Sequence, residues 1–512
     1  MKHDNYVDLL DFDQLPYLDE LFKHYLREVS WALPGQTDSK YPFAKLLLLS
    51  FAYALREAAS DIHLEFHSRW GYKLNISTMR GGVHIGTDHL CVDHAKILKD
   101  LVLTRCGIPV GSQDRSDFNA ALPVDFPMQW VRKTGIPIKL EFADSDKYNL
   151  RLRVAFIQMT DGGYSFTFRL IDENRTKDLE DMGFSYAVLC EMTELLAVTS
   201  GLILFAGPTG SGKSSTQYAC LSRANTGQKK IVTIEDPVEF MLKGPGSIVH
   251  IEVTPDLPPE RALRQTLRMA AKILMIGEIR SPEMLQTALS AVATGHLVFA
   301  TVHADHVPGA VDRLFKLLPQ DMREAELATL ANALQAVICQ RLVPLREPTG
   351  RSAETSVNQH DWILKHSGVD FDRYGVACDA VISRQAMVEM LVVDYDVKLA
   401  IAEFNIERVF ALGAQQPQFE TLLQQGLRFV EKGLIALEDC NRWLGGQPMA
   451  SRYPTLRLKL AKSYDLSMNQ VDEVISSYYE RRERNEKVDL DDLCHQYALS
   501  LRQIYEDEPL HA

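Results

Sequence analysis

The spacing of apolar residues changes along the chain. In residues 1–58, Leu18, Leu21, Phe22 and Leu26 recur at helical intervals before the Leu33-Pro34-Gly35 turn, which predicts an amphipathic helical segment. From 59 to 170 the pattern becomes strictly alternating, as in Leu150-Arg-Leu-Arg-Val154 and Tyr164-Ser-Phe-Thr-Phe-Arg-Leu170. That period predicts half-buried strands in a small α+β domain. Residues 171–185 are charged with only scattered apolar positions and read as a hinge, followed by a helix through Leu189, Met192, Leu195 and Leu196. Over 186–345, short apolar runs alternate with helical stretches, the pattern of a parallel sheet covered on both faces. A further α+β and helical part, 346–445, and a helical extension, 446–512, complete the expected domains.

Four predicted strands carry the chemistry: Leu202–Ala206, Ile231–Ile234, Ile273–Ile276 and Leu297–Val302. Each ends in polar or small residues, respectively Gly207 onward, Glu235-Asp236, Gly277-Glu278 and His303. Open α/β sheets bind ligands beyond the carboxyl ends of their strands, so these groups are expected to converge. Gly207, Pro208, Thr209, Gly210, Ser211, Gly212, Lys213 and Ser214, continued by Ser215, satisfy the phosphate-loop pattern between a strand and a helix. There the loop N–H groups cradle phosphates, Lys213 reaches the β- and γ-phosphates of ATP, and the Ser214 hydroxyl ligates Mg²⁺. Glu278 closes a buried strand with a carboxylate able to hold Mg²⁺ or polarise water, and Glu235 closes another. His296 and His303 flank the strand Leu297–Val302, which puts them roughly 23 Å apart, so only His303 reaches the ligand edge. The helix between them and Glu278 is marked by Ser281 as N-cap, Pro282 and Glu283.

With 512 residues, 46% apolar and 24% charged, the chain has the composition of a globular protein of several domains. The 55 basic against 68 acidic residues leave a net charge of −13, which disfavours a nucleic-acid backbone as direct partner. The run Leu46–Leu55 is too short to span a bilayer, and the start, Met1-Lys2-His3-Asp4-Asn5, lacks the basic and apolar regions of a signal peptide. A cytoplasmic protein is expected. The eight cysteines include no CxxC pair, so no zinc site is expected and the thiols read as small buried hydrophobes.

Ala59-Ser-Asp-Ile-His-Leu-Glu65, the phosphate loop, Ile234-Glu-Asp-Pro-Val-Glu239, Gly277-Glu-Ile-Arg280, Thr294-Gly-His-Leu-Val298 and Gln340-Arg-Leu-Val343 together resemble the motor ATPases of type II secretion and type IV pilus systems. The resemblance covers about residues 55–445 and implies a RecA-like core behind a PAS-like N-terminal domain. It also implies a homohexamer at the cytoplasmic face of the inner membrane, peripheral there, working on pilus or secretion platform proteins. By the same likeness Glu235 prepares water, Glu278 attends Mg²⁺ and His303 couples the γ-phosphate to domain motion. Arginines of the smaller domain reach the nucleotide in that family, and Arg151, Arg153 and Arg169 sit on the matching strands. Ala270-Ala271-Lys272 stands where the family commonly has an acidic-Pro-acidic triplet, and Ser281 replaces an Asp. Family members often carry two CxxC pairs soon after Gln-Arg-Leu-Val, or a retraction-type C-terminal signature, and the lack of both here suggests a divergent branch, such as the thin-pilus type IVb motors of conjugative plasmids. Two other classes match parts of the pattern: a nucleotide-binding scaffold with little turnover, and a DNA-translocating ATPase. In the tail, Met468, Val471, Val474, Ile475 and Tyr478 share a helical face, suited to packing on the ring surface or to docking a membrane platform or regulator.

Overall fold

The structure is a computed structural model. It describes residues 59–67, 71–78, 81–87, 92–106, 117–127, 147–160, 162–171, 178–242, 244–319, 323–352, 376–435, 455–484 and 486–507, with scattered positions between 47 and 55 and Ile108, Val131 and Cys440. Most of the predicted 1–58 helical segment lies outside the described residues. The chain divides into two units, Met1–Thr176 and Lys177–Ala512, with the division inside the predicted 171–185 hinge. Among the described residues no helix is long and apolar enough to cross a membrane.

The first unit is built on an antiparallel six-stranded sheet. Its elements are β1 (Asp61–His67), β2 (Gly71–Thr78), β3 (Gly81–Thr87), α1 (Val92–Arg105), β4 (Asp117–Pro127), β5 (Lys147–Gln158) and β6 (Tyr164–Ile171), with sheet order β3-β2-β1-β6-β5-β4. Period-two alternation settles which face is which. Leu64, Leu152, Val154, Phe156, Phe166 and Phe168 are buried, while Arg151, Arg153 and Arg169 point from the opposite face. Arg153 lies directly across from Arg169 in the β5–β6 register, and Arg169 is held by Asp61 at 3.0 Å.

The second unit holds a seven-stranded sheet whose elements alternate as the pattern predicts. They are α2 (Tyr186–Ala197), β7 (Gly201–Ala206), α3 (Lys213–Ala224), β8 (Ile231–Glu235), β9 (Ile248–Glu252), α4 (Pro259–Thr266), β10 (Ile273–Ile276), α5 (Pro282–Ala293), β11 (Leu297–Val302), α6 (Val307–Leu317), α7 (Arg323–Ala333), β12 (Leu334–Ser352) and β13 (Val376–Val392). The order is β13-β12-β7-β11-β10-β8-β9, parallel except where β13 pairs with β12. This is the RecA-like arrangement. Alternate residues of the central strands feed two cores: Leu204, Val232, Leu274 and Val298 pack under α5 and α6, and Phe205, Ile231, Met275 and Phe299 pack under α2 and α3. The boundary expected at 345 falls inside β12, because that strand continues to pair with β13. The later half of the expected hinge is also docked, since Leu179 and Met182 join the core beneath α2 and α3.

Beyond the sheet come α8 (Tyr395–Ala402), α9 (Ile406–Gly413), α10 (Leu422–Glu431), α11 (Leu456–Tyr464), α12 (Met468–Glu483) and α13 (Leu490–Asp507). The tail helix α12 packs its Met468, Val471, Val474 and Ile475 face inward, joining residues of α2. Tyr479 rather than Tyr478 is the buried tyrosine, one helical turn beyond Ile475. Its hydroxyl donates to Glu191 of α2 at 2.8 Å, while Tyr186 donates to Glu483 at 2.6 Å. Asp472 of α12 reaches Arg428 of α10 and Arg457 of α11, each at 2.8 Å.

Candidate nucleotide site

The site is assembled where β7, β10 and β11 end. Ala206 closes β7, the loop Gly207–Gly212 turns, and Lys213 opens α3. Gly212 is the N-cap of that helix at φ 87°, a left-handed conformation that glycine adopts without the Cβ clash other residues incur. No side chain caps the helix, so its first-turn N–H groups, from Lys213, Ser214 and Ser215, are available to an anion. Gly210 faces open space, with nothing within 4 Å of where a Cβ would stand. The buried Ser211 hydroxyl has no hydrogen-bond partner. An open cradle beside an unsatisfied hydroxyl suits phosphate oxygens.

Lys213 folds back over the loop, its Nζ donating to the carbonyl oxygens of Gly207 at 2.7 Å and Pro208 at 2.9 Å. Burial lowers its pKa, opposed by the negative charges of Glu278 and then Glu239. Glu278 follows β10, largely buried, with Oε2 accepting from Arg280 Nε at 2.7 Å and Oε1 lying 3.5 Å from His303 Nε2. The other ring nitrogen of His303 lies 3.3 Å from the Gly207 carbonyl, so the histidine stands between the phosphate loop and the Glu278 carboxylate. Arg280 is a second cation at this edge that strand-end reasoning passed over, since it lies two residues past the glutamate. His296, at the opposite end of β11, is buried and bonded at Nδ1 to the Ala291 carbonyl at 2.9 Å, closing α5. The predicted cap of that helix forms, with Ser281 Oγ accepting from Met284 N–H.

Glu235 departs most from expectation. It is only 4% exposed, and the Tyr218 hydroxyl on α3 lies 2.7 and 2.6 Å from its two carboxylate oxygens. Burial, then the charge of Glu235, push the Tyr218 phenol far up, which keeps it a proton donor. His250 Nδ1 lies 3.8 Å from the same carboxylate and 2.9 Å from Thr233 Oγ1. Glu235 is thus engaged between sheet and helix, whereas Glu239, four residues on and half-buried, is the Asp-Pro-loop carboxylate whose charge acts on Lys213. Arg151, Arg153 and Arg169 belong to the first unit, on the sheet face opposite its core. Gln340, quoted above only within a motif, proves to touch the phosphate loop directly.

A parallel RecA-like sheet carrying a phosphate loop, a strand-end glutamate and a histidine at the neighbouring strand end defines a P-loop ATPase. Residues 136–442 match the family described as type II/IV secretion system protein. The type II secretion system protein E of Klebsiella pneumoniae is 30% identical over 462 residues, spanning 87% of this chain and 82% of that protein. The type IV pilus assembly ATPase PilB of Thermus thermophilus is 33% identical over 269 residues, 51% of this chain and 30% of PilB. The crystal structure of the pilus retraction motor PilT with bound ADP shares the fold at a TM-score of 0.55 and 23% identity, covering 78% of this chain and 98% of that one. The chain belongs to the type II/IV secretion system protein family.

Proposed function

We propose that this protein is an ATP-hydrolysing motor that powers pilin assembly or type II-like protein export, working as a homohexamer peripherally bound to platform proteins at the cytoplasmic side of the inner membrane. The observation that carries this reading is the convergence of Lys213, Glu278 and His303 on one phosphate loop in a chain of the secretion ATPase family. The net charge of −13 speaks against DNA as the cargo.

Lys213 exchanges its two loop carbonyls for phosphate oxygens when nucleotide enters, and the helix N-terminus supplies further donors. Ser214 and Glu278 are the residues that would hold Mg²⁺, which supplies neutralisation of the β- and γ-phosphate charge when bound. Arg280, paired with Glu278, balances the charge of that carboxylate. His303 touches both the loop and Glu278, so a shift at either is felt at the end of β11 and at α6, which starts four residues later. Glu239 orients the attacking water, and Glu235 anchors α3 to β8 through Tyr218. The first unit's Arg151, Arg153 and Arg169 supply charge that stabilises the transition state.

Phosphate release, fluorescent ATP binding and thermal melting of the full chain test this. Lys213→Ala abolishes hydrolysis with little change in melting. Glu278→Gln and Glu239→Gln each lose about a hundredfold or more in kcat while still binding nucleotide. Glu235→Gln lowers the melting temperature instead, because it weakens a buried contact. Equal turnover in Lys213→Ala would remove the ATPase reading, and a catalytic loss confined to Glu235→Gln would return the water to that residue. Wild-type protein that binds ATP without releasing phosphate would favour the scaffold reading.

A further inference from the structure

Cys339 of β12 pairs with Ala206, the last residue of β7, so the next residue, Gln340, stands beside the start of the phosphate loop. Its side chain is 1% exposed. Nε2 donates to the Ser211 carbonyl at 2.9 Å, and Oε1 accepts from the Thr216 hydroxyl at 2.6 Å. The contact is close at both ends of the loop. A Cβ at Gly207 would stand 2.4 Å from the Gln340 carbonyl oxygen, and one at Gly212 would stand 2.7 Å from Nε2. A single amide therefore ties the loop and the first turn of α3 to the sheet.

The Ser211 carbonyl and the Gly212 N–H belong to one trans peptide, in which they point in opposite directions. Holding that carbonyl inward turns the Gly212 N–H outward. We propose that Gln340 is a positioning residue for phosphate binding, one that sets the loop's N–H groups toward the nucleotide by fixing the Ser211 carbonyl and the Thr216 hydroxyl. The inference rests on the ATPase reading of this same site. Glutamine suits the task because it offers one donor and one acceptor. A glutamate would turn an acceptor toward the Ser211 carbonyl and bring negative charge to the phosphates, and an aliphatic side chain would leave the Ser211 carbonyl unsatisfied and the Thr216 hydroxyl only the Gly212 carbonyl, 3.3 Å away.

The test is titration of the full chain with mant-ATP and mant-ADP, alongside melting curves, for wild type, Gln340→Glu, Thr216→Val and Thr216→Ser. Gln340→Glu is expected to weaken mant-ATP binding about tenfold or more, and mant-ADP binding by less, because repulsion grows with phosphate charge. Thr216→Val loses a smaller factor, and Thr216→Ser, which keeps the hydroxyl, binds like wild type. Thr216→Val is nearly isosteric, so it carries the test if Gln340→Glu does not fold. Folded variants that bind both nucleotides within twofold of wild type would overturn the inference alone. So would equal loss for ATP and ADP that merely follows a lowered melting temperature. Wild-type protein that fails to bind mant-ATP would instead overturn the ATPase reading beneath it.

Discussion

Glu389 is a carboxylate on β13 sealed from solvent, with Oε1 accepting from the N–H of Val307 at 2.8 Å at the start of α6. Burial raises its pKa from the ordinary 4.5 to about 7, against the opposing pull of backbone donors at Val307 and Leu422. The fold therefore holds a proton there that the unfolded chain releases. Its stabilising contribution is complete below the ordinary carboxylate range and declines as the pH rises toward 7. Glu389→Gln removes that dependence, so the variant should gain on wild type between pH 5 and 8, by up to about 3 kcal/mol, in melting curves at a series of pH values. At this scale the sequence was legible where spacing is local. The phosphate loop and the Ser281 cap need only neighbours, and both form. The Glu235 placement depends on a tyrosine from another element, yet a signal existed: period two along Ile231–Glu235 puts Glu235 on the same face as buried Ile231, under α3.

Among elements, the predicted strands of the core appear within a residue of their expected ends, because fully buried parallel strands read as unbroken apolar runs. The edge strand β9, with no fully buried residue, gave no such run. The long β12–β13 pair was hidden by its length and by Pro344 and Pro348, which break the pattern at an edge. The tail helix α12 was legible as amphipathic, but its partner α2 lies nearly the whole second unit away in sequence. Its polar anchor was not foreseeable at all. Burial would raise the pKa of Asp472, but Arg457 and Arg428 outweigh burial and hold it below the usual carboxylate range. Arg457 is 0% exposed and Arg428 nearly so. Asp472→Asn should therefore cost about 3 to 5 kcal/mol in denaturant unfolding, since it leaves the buried Arg457 guanidinium uncompensated, while Arg428 keeps Glu420 at 3.0 Å. The contribution of the native carboxylate is present above the ordinary range and is lost only in acid, as the pH falls through its lowered pKa.

For the whole molecule, the second unit contains the loop, Glu278, His303 and Arg280, while the remaining arginines of interest lie in the first. Arg151, Arg153 and Arg169 share a sheet face, with Arg153 directly across from Arg169 and Arg169 held by Asp61. If they stabilise the transition state, changing all three to alanine in the full chain should cost about 10³-fold or more in phosphate release with mant-ATP binding retained. Turnover per chain should also rise with protein concentration through the assembly range. Unchanged turnover in the triple variant would confine the chemistry to the second unit. The pairing of α12 with α2 bears equally on how the protein is made. A ribosome that has just released α2 must add some 280 further residues before α12 exists, roughly 15 to 60 seconds of synthesis. Until then the Tyr186, Ala187 and Cys190 side of α2 and the Arg457 guanidinium lack their covers. The nascent ATPase core therefore stays open to chaperones, and to proteases, until its last helices emerge.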